Sequence, residues 1–143
     1  MSLRTDIRKD VVAVLTTALS GNTVLDSSVE VVDSALLPAV VVYGTDESVE
    51  RDEGFMGEPS PTYLRQLTIR CEYYEAGIDG MGVMDTLEDM LETSEAALYA
   101  DSGLDVLVRD FYLTSVEVSM NADAGETRGL LAANFTAEYE RLG

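Results

Sequence analysis

The chain has 143 residues, 46% hydrophobic and 25% charged, and contains 27 acids, nine bases, one cysteine and no histidine or tryptophan. This length and apolar content predict one domain with a sizeable core, and a formal charge of −18 argues against binding nucleic acids or anionic membranes, which need clustered bases. The absence of histidine removes the side chain that usually changes charge near neutral pH.

The single cysteine and the short apolar runs indicate in which cellular compartment the protein resides. Cys71 cannot form an internal disulfide, which is typical of a reducing environment. No apolar run approaches the ~20 residues of a membrane span. The first residues alternate polar and apolar side chains and do not resemble a signal peptide. We therefore expect a cytoplasmic protein.

The N-terminal segment predicts an amphipathic helix over about residues 3–19. Ser2 is a suitable N-cap, and Gly21 suits the stop. The apolar residues that recur at helical spacing are Leu3, Ile7, Val11, Val14, Leu15 and Ala18.

Two strands are predicted next. Residues 29–32 form a short strand candidate, and residues 39–43 form a β-branched run that is apolar on both faces. Such a run is typical of a central strand covered on two sides.

Residues 44–61 predict a long acidic loop rich in glycine and proline. Its acids are Asp46, Glu47, Glu50, Asp52, Glu53 and Glu58. Long irregular loops in compact domains are usually functional or disordered. Three interpretations are open: a solvated, partly disordered loop, an arm that becomes ordered on a partner, or a Ca²⁺ or Mg²⁺ site. The acid spacing does not match an EF-hand.

Phe55 and Met56 lie inside this loop and have no obvious core to join. Large apolar side chains flanked by acids and glycines are typical of an anchor that becomes buried only in a complex. We therefore include both among the candidate interaction residues.

The second half predicts an alternating strand at 62–74, with Arg70 and Glu72 on one face and Cys71 on the other. It then predicts a helix at about 81–99 with Asp79 as a candidate N-cap, a short helix or turn near 103–108, and a hairpin of strands at about 110–120 and 127–140. The element order predicts an α+β fold: a single mixed or antiparallel sheet of about 4–5 strands with two main helices packed against it. No internal repeat or linker is visible, so we expect a single domain over 1–143.

The predicted second helix carries an outer row of acids, Asp85, Glu88, Asp89, Glu92 and Glu95. This row is either a solvated face or a docking surface for a basic partner. Met81, Met84 and Met90 lie at or near its apolar stripe and are either core or a binding face. Cys71 alternates with core positions; as a nucleophile it would lack a histidine base.

The element order and several strings resemble the tail terminator proteins of long-tailed, lambda-like phages, the minor tail protein U family. These are the N-terminal helix, LPAVVVYG at 37–44, the acidic loop, the alternating strand Tyr63–Tyr74, the acidic helix, and a closing strand that ends in TAEYE at 136–140. The likeness covers nearly the whole chain. The loop at 44–61 is longer and richer in glycine and proline than the family pattern.

The resemblance implies a structural protein of the virion tail, assembled in the host cytoplasm and not an enzyme. Members form a ring, usually a hexamer, that caps the tail tube, stops its polymerisation and provides the surface that joins the head. The implied partners are other copies of the chain, the tail tube protein and a head-completion protein, with DNA passing through the lumen without specific binding. No membrane, cofactor, metal or catalytic residue is implied.

Two other functions stay open: a head–tail completion or tail-tube-related virion protein, and a small acidic enzyme or metal-binding module. The candidate protein-interaction residues are Glu47, Glu50, Asp52, Glu53, Phe55, Met56, Asp85, Glu88, Asp89 and Glu92.

Overall fold

The computed structural model describes residues 2–28, 34–51, 62–123 and 125–142, which form three α-helices, one 3-10 turn and five strands. The helices are α1 (Leu3–Ala18), α2 (Gly80–Tyr99) and α3 (Ser102–Leu107), and the 3-10 turn is Ser34–Leu36. The strands are β1 (Thr23–Asp26), β2 (Ala39–Arg51), β3 (Thr62–Gly77), β4 (Asp110–Asp123) and β5 (Glu126–Leu142). The predicted α+β fold is confirmed.

The five strands form one mixed sheet in the order β1-β2-β3-β5-β4. β1 and β2 are parallel, and the remaining pairs are antiparallel. The central pair is the longest, with register from Thr62 opposite Leu142 to Gly77 opposite Thr127. β4 and β1 are therefore the two edges of the described sheet.

Both long helices pack on one face of the sheet, because each carries an apolar stripe that must leave water. α1 buries Ile7, Val11 and Leu15. α2 buries Val83, Leu87, Met90, Ser94 and Leu98. The sheet residues in the same core cluster alternate along the strands; they are Val40, Val42, Leu67, Ile69, Cys71, Tyr73, Leu131, Ala133, Phe135, Ala137 and Tyr139. The opposite face bears the polar residues of β3 and β5.

The predicted helix starts are confirmed by their capping bonds. The Ser2 hydroxyl accepts from the Thr5 N–H at 3.2 Å, and the Asp79 carboxylate accepts from the Met81 N–H at 3.1 Å. These bonds satisfy N–H groups that have no partner inside the helix. α1 ends near Gly21, whose φ of +92° suits a residue without a Cβ.

The loop prediction at 44–61 is wrong over its first part. Residues 44–51 belong to β2 and pair with β3, with a register shift between Gly44 and Glu47. The bulge absorbs the extra residues, so the strand continues despite its acids. The rest of the predicted loop, residues 52–60 and Pro61, lies outside the described residues. So does the predicted strand at 29–32, whereas β1 at Thr23–Asp26 was not foreseen.

The edge strand β4 joins the core at only one end. The ring of Phe111 stacks on that of Phe135 with centroids 5.2 Å apart. After a register shift between Leu113 and Ser115, the strand continues along β5, and its side chains become exposed. The closing hairpin is confirmed, with Gly125 at φ +79° in its turn.

Candidate protein-interaction site

The predicted interaction residues fall into two separate groups. Glu47 and Glu50 lie on β2, and four acids lie on α2. Asp52, Glu53, Phe55 and Met56 lie outside the described residues, so the structure does not place them. The described candidate residues therefore do not form one cluster: two lie near the end of strand β2 and four lie on helix α2.

The four acids of α2 form one exposed ridge, which we call the acidic ridge: Asp85, Glu88, Asp89 and Glu92. Their spacing of three and four residues aligns them on the side of the helix away from the sheet. None of the ion pairs within the described residues includes any of them. Like charges at this spacing weaken a helix by about 0.2–0.5 kcal/mol per pair, so a basic partner would relieve the repulsion.

Glu47 is held inside the chain. Its side chain is 9% exposed, and it pairs with Arg65 at 3.1 Å and Arg4 at 3.5 Å. The Tyr139 hydroxyl also donates a hydrogen bond to it. Burial, followed by this bond, raises the pKa of Tyr139 to about 12. Any contact between Glu47 and another protein would compete with these bonds, whereas Glu50 on the same strand is exposed.

The sheet face opposite the helices carries a polar network around Arg70. Its guanidinium contacts Glu72 at 2.9 Å, Asn134 at 3.4 Å and Glu117 at 3.8 Å. A shallow depression of about 360 Å³ adjoins it, lined by Thr45, Asp46, Thr68, Arg70, Thr114, Ser115, Asn134 and Thr136. The alternation in β3 predicted that Arg70 and Glu72 share a face. The contacts with Glu117 on β4 and Asn134 on β5 could not be predicted in this way, because they depend on how the strands pair.

A pair of carboxyl groups joins α1 to α3. Asp10 and Asp101 share a side-chain hydrogen bond; burial, then this bond and the nearby charge, raise the pKa of Asp10 to about 6. The same bond is the main cause of the lowered pKa of Asp101. Asp101 also accepts from the Leu104 N–H at 2.9 Å and thereby caps α3. The two acids are 91 positions apart in the sequence, and no local pattern predicted their contact.

Cys71 is a buried core thiol, as predicted. Burial raises its pKa to about 12, so the thiol stays protonated and is a poor nucleophile. Within the described ranges, no three His, Cys, Asp or Glu side chains are grouped so that they could hold a metal ion. Nor is any described helix both long and apolar enough to cross a membrane.

The three methionines of α2 differ in environment. Met90 is buried, Met84 is partly buried against the core, and Met81 is 72% exposed. The core interpretation is therefore confirmed for Met90 and wrong for Met81, because Met81 lies in the first turn of the helix, beyond the apolar stripe that starts at Val83.

No protein-family model matches the chain, and no curated protein matches it. Among solved structures, a chain from the virion of a native gene transfer agent particle aligns over 96% of this chain and 92% of that chain. The two are 16% identical, with a TM-score of 0.36. At that score the superposition does not establish a shared fold.

Proposed function

We propose that this chain is a structural subunit of a phage or prophage tail, a ring-forming terminator that caps the tail tube. In this role it stops tube polymerisation and provides the surface to which the head is joined. The support is the likeness of element order and strings to the lambda-like tail terminator family, carried by residues along nearly the whole chain.

The structural observation that carries the proposal is the one-sided packing of the sheet. Both long helices cover one face, while the polar face around Arg70 and most of edge strand β4 carry no described helix. A chain with one open sheet face and one long free edge has surfaces for neighbours on more than one side. An assembly subunit needs such surfaces, because it contacts copies of itself and the tube at once.

Charge is compatible with a ring around DNA. Six copies of a chain at −18 would carry −108 formal charges. An acidic lumen repels phosphate, so DNA would pass without adhering. The same repulsion opposes closure of the ring, which favours assembly on a template, the tube end, in the host cytoplasm.

Deleting the gene from a phage or prophage that encodes the chain tests the role. We expect over-long tails in electron micrographs, rescued by the wild-type gene. Normal tails would overturn the proposal. Normal tails that fail to join heads would instead support the second candidate, a head–tail completion protein.

Two sets of variants test the candidate residues in the same complementation. Replacing Phe55 and Met56 by serine tests the predicted apolar anchor, and replacing Glu88 and Glu92 by glutamine tests the acidic ridge. Over-long tails with soluble, folded protein would assign the tube contact to the altered residues. Rescue equal to wild type would exclude them. Native mass spectrometry of the purified chain checks whether a closed ring or an open polymer forms.

A further inference from the structure

An exposed apolar strip follows the free edge of the sheet. Val116, Val118 and Met120 on β4 are 41%, 48% and 37% exposed. They pair with Ala133, Leu131 and Gly129 of β5, and Ala133 and Leu131 belong to the core under the helices. The three β4 side chains therefore point to the helix side of the sheet, where the helices do not fully cover them.

α2 runs alongside this strip. At one end, the Met120 sulfur converges with Val83 and Leu87 over Gly129, and at the other the Tyr99 hydroxyl accepts from the Leu113 N–H at 3.1 Å. Helical spacing places Met84, Glu88, Leu91 and Glu95 on the same flank of α2 as Tyr99. The flank toward β4 thus combines two partly buried apolar residues, Met84 and Leu91, with Glu95 and with Glu88, which lies where this flank meets the acidic ridge.

β4 lacks the usual devices that protect an edge strand. Natural edges carry lysine, proline or bulges that discourage pairing with another chain. From Ser115 to Ala122 this strand contains no lysine, arginine or proline, and it pairs with β5 without further register shifts. Its one acid there, Glu117, lies near Arg70 on the opposite face. The described edge is therefore regular and open to an added strand.

We propose that β4 and the adjoining flank of α2 bind an extended segment of another protein, as an added strand that presents both apolar and basic side chains on the helix side of the sheet. The backbone would pair with β4, the apolar side chains would cover Val116 and Val118, and the bases on the same face of the strand would meet Glu88 and Glu95. This inference does not rest on the proposed tail function.

Charge complementarity selects a basic partner over a second copy. Another copy would bring a net −18 to an already acidic flank. Within the described residues, moreover, at least five bases are held in ion pairs of the chain itself: Arg4, Arg8, Arg65, Arg70 and Arg109. A partner with lysine or arginine beside apolar residues would both bury the strip and neutralise the acids.

Fluorescence anisotropy with a synthetic peptide tests the proposal on the full chain. The probe is a capped peptide of about nine residues, to match the regular part of β4, in which every second residue is in turn valine or lysine and the residues between are threonine. Its matched control has the same sequence and charges but is N-methylated on every residue, so neither edge can pair. We expect the control to bind at least about tenfold more weakly. Equal binding of both would overturn the added strand.

Variants locate the site. Val116→Thr with Val118→Thr keeps β propensity and should weaken binding at least about tenfold, as should Glu88→Gln with Glu95→Gln. The charge-matched control is Asp89→Asn with Glu92→Gln. These two side chains line the groove toward Ala18 of α1, so this variant should keep an affinity near that of the wild type.

Equal losses of affinity from both charge-removing variants would mean nonspecific attraction and overturn the proposal. Peptide-independent dimers that Val118→Thr dissolves would identify a second copy as the occupant and also overturn it.

Discussion

The carboxyl groups of Asp10 on α1 and Asp101 at the start of α3 share a hydrogen bond, which raises the pKa of Asp10 and lowers that of Asp101. The bond needs a proton on one of the two carboxyl groups, and the raised pKa of Asp10 indicates that Asp10 carries it. Gly103 lies so close that a Cβ there would be 2.9 Å from Asp10 Oδ1, so the pair is packed as well as hydrogen-bonded.

The first prediction concerns pH. Because the folded pKa of Asp10 is about 6 against 3.8 ordinarily, its contribution to stability is full below the ordinary value and is lost as pH rises through about 6. The lowered pKa of Asp101 has the opposite effect: its contribution is lost as pH falls through the folded value. The pair thus stabilises most near the ordinary value of 3.8, where Asp10 is still protonated and Asp101 is ionised in the folded chain.

Asp10→Asn keeps a donor toward Asp101 without a second charge. In urea unfolding, we expect the variant to gain stability relative to wild type as pH rises from about 5 to about 7.5. Asp89→Asn, at an exposed position, is the matched control and should show a nearly constant difference. A constant difference for Asp10→Asn as well would contradict the shared proton.

The second prediction concerns the close packing of side chains over Gly129. A Cβ at Gly129 would lie 2.7 Å from Val83 Cγ1 and 2.9 Å from both Leu87 Cδ1 and Met120 Sδ. Gly129→Ala should therefore reduce the free energy of unfolding by about 1–3 kcal/mol through overpacking. Gly44→Ala, where nothing lies within 4 Å, should change it by less than about 0.5 kcal/mol. Thermal and urea unfolding compare the two.

The third prediction concerns the Glu47 ion pairs. Glu47→Gln removes the charge that Arg65 and Arg4 share and should cost about 1–3 kcal/mol in the free energy of unfolding. Glu50→Gln, on the exposed part of the same strand, should fall within about 0.5 kcal/mol of wild type. Equal effects of the two substitutions would mean that solvent screens the Glu47 contacts fully.

The fourth prediction concerns self-association. If acid repulsion limits ring closure, NaCl or Mg²⁺ should raise the oligomer fraction in sedimentation velocity. Oligomers that dissociate as salt rises would indicate attractive ion pairs between subunits instead. Arg4 and Arg8 are poorly suited to such pairs, because they already contact Glu47 and Asp26 within the chain.

Helices and strands with a clear local sequence pattern were predicted correctly. The spacing of Ile7, Val11 and Leu15, the caps at Ser2 and Asp79, and the alternation around Cys71 all follow from periods of 3.6 and two. The extension of β2 beyond Gly44 has no such pattern, because its acids look like a loop until β3 pairs with them. β1, only four residues long, offers too short a run to be recognised.

The contacts of the candidate site depend on register rather than on local sequence. Glu47 meets Tyr139, 92 residues away, only because β2, β3 and β5 are adjacent in a particular alignment. The exposure of Val118 could not be predicted either, since its apolar alternation reads as a core strand. Only the tertiary arrangement shows that the helices stop short of it.

The two edges of the described sheet differ in kind: β1 offers four residues in parallel pairing, whereas β4 offers fourteen in antiparallel pairing. Copies joined edge to edge, β4 against β1, could match no more than the four residues of the shorter strand. Pairing of β4 with β1 alone thus cannot continue the sheet from one subunit to the next over the full length of β4. Such a contact would leave most of β4 without a partner strand.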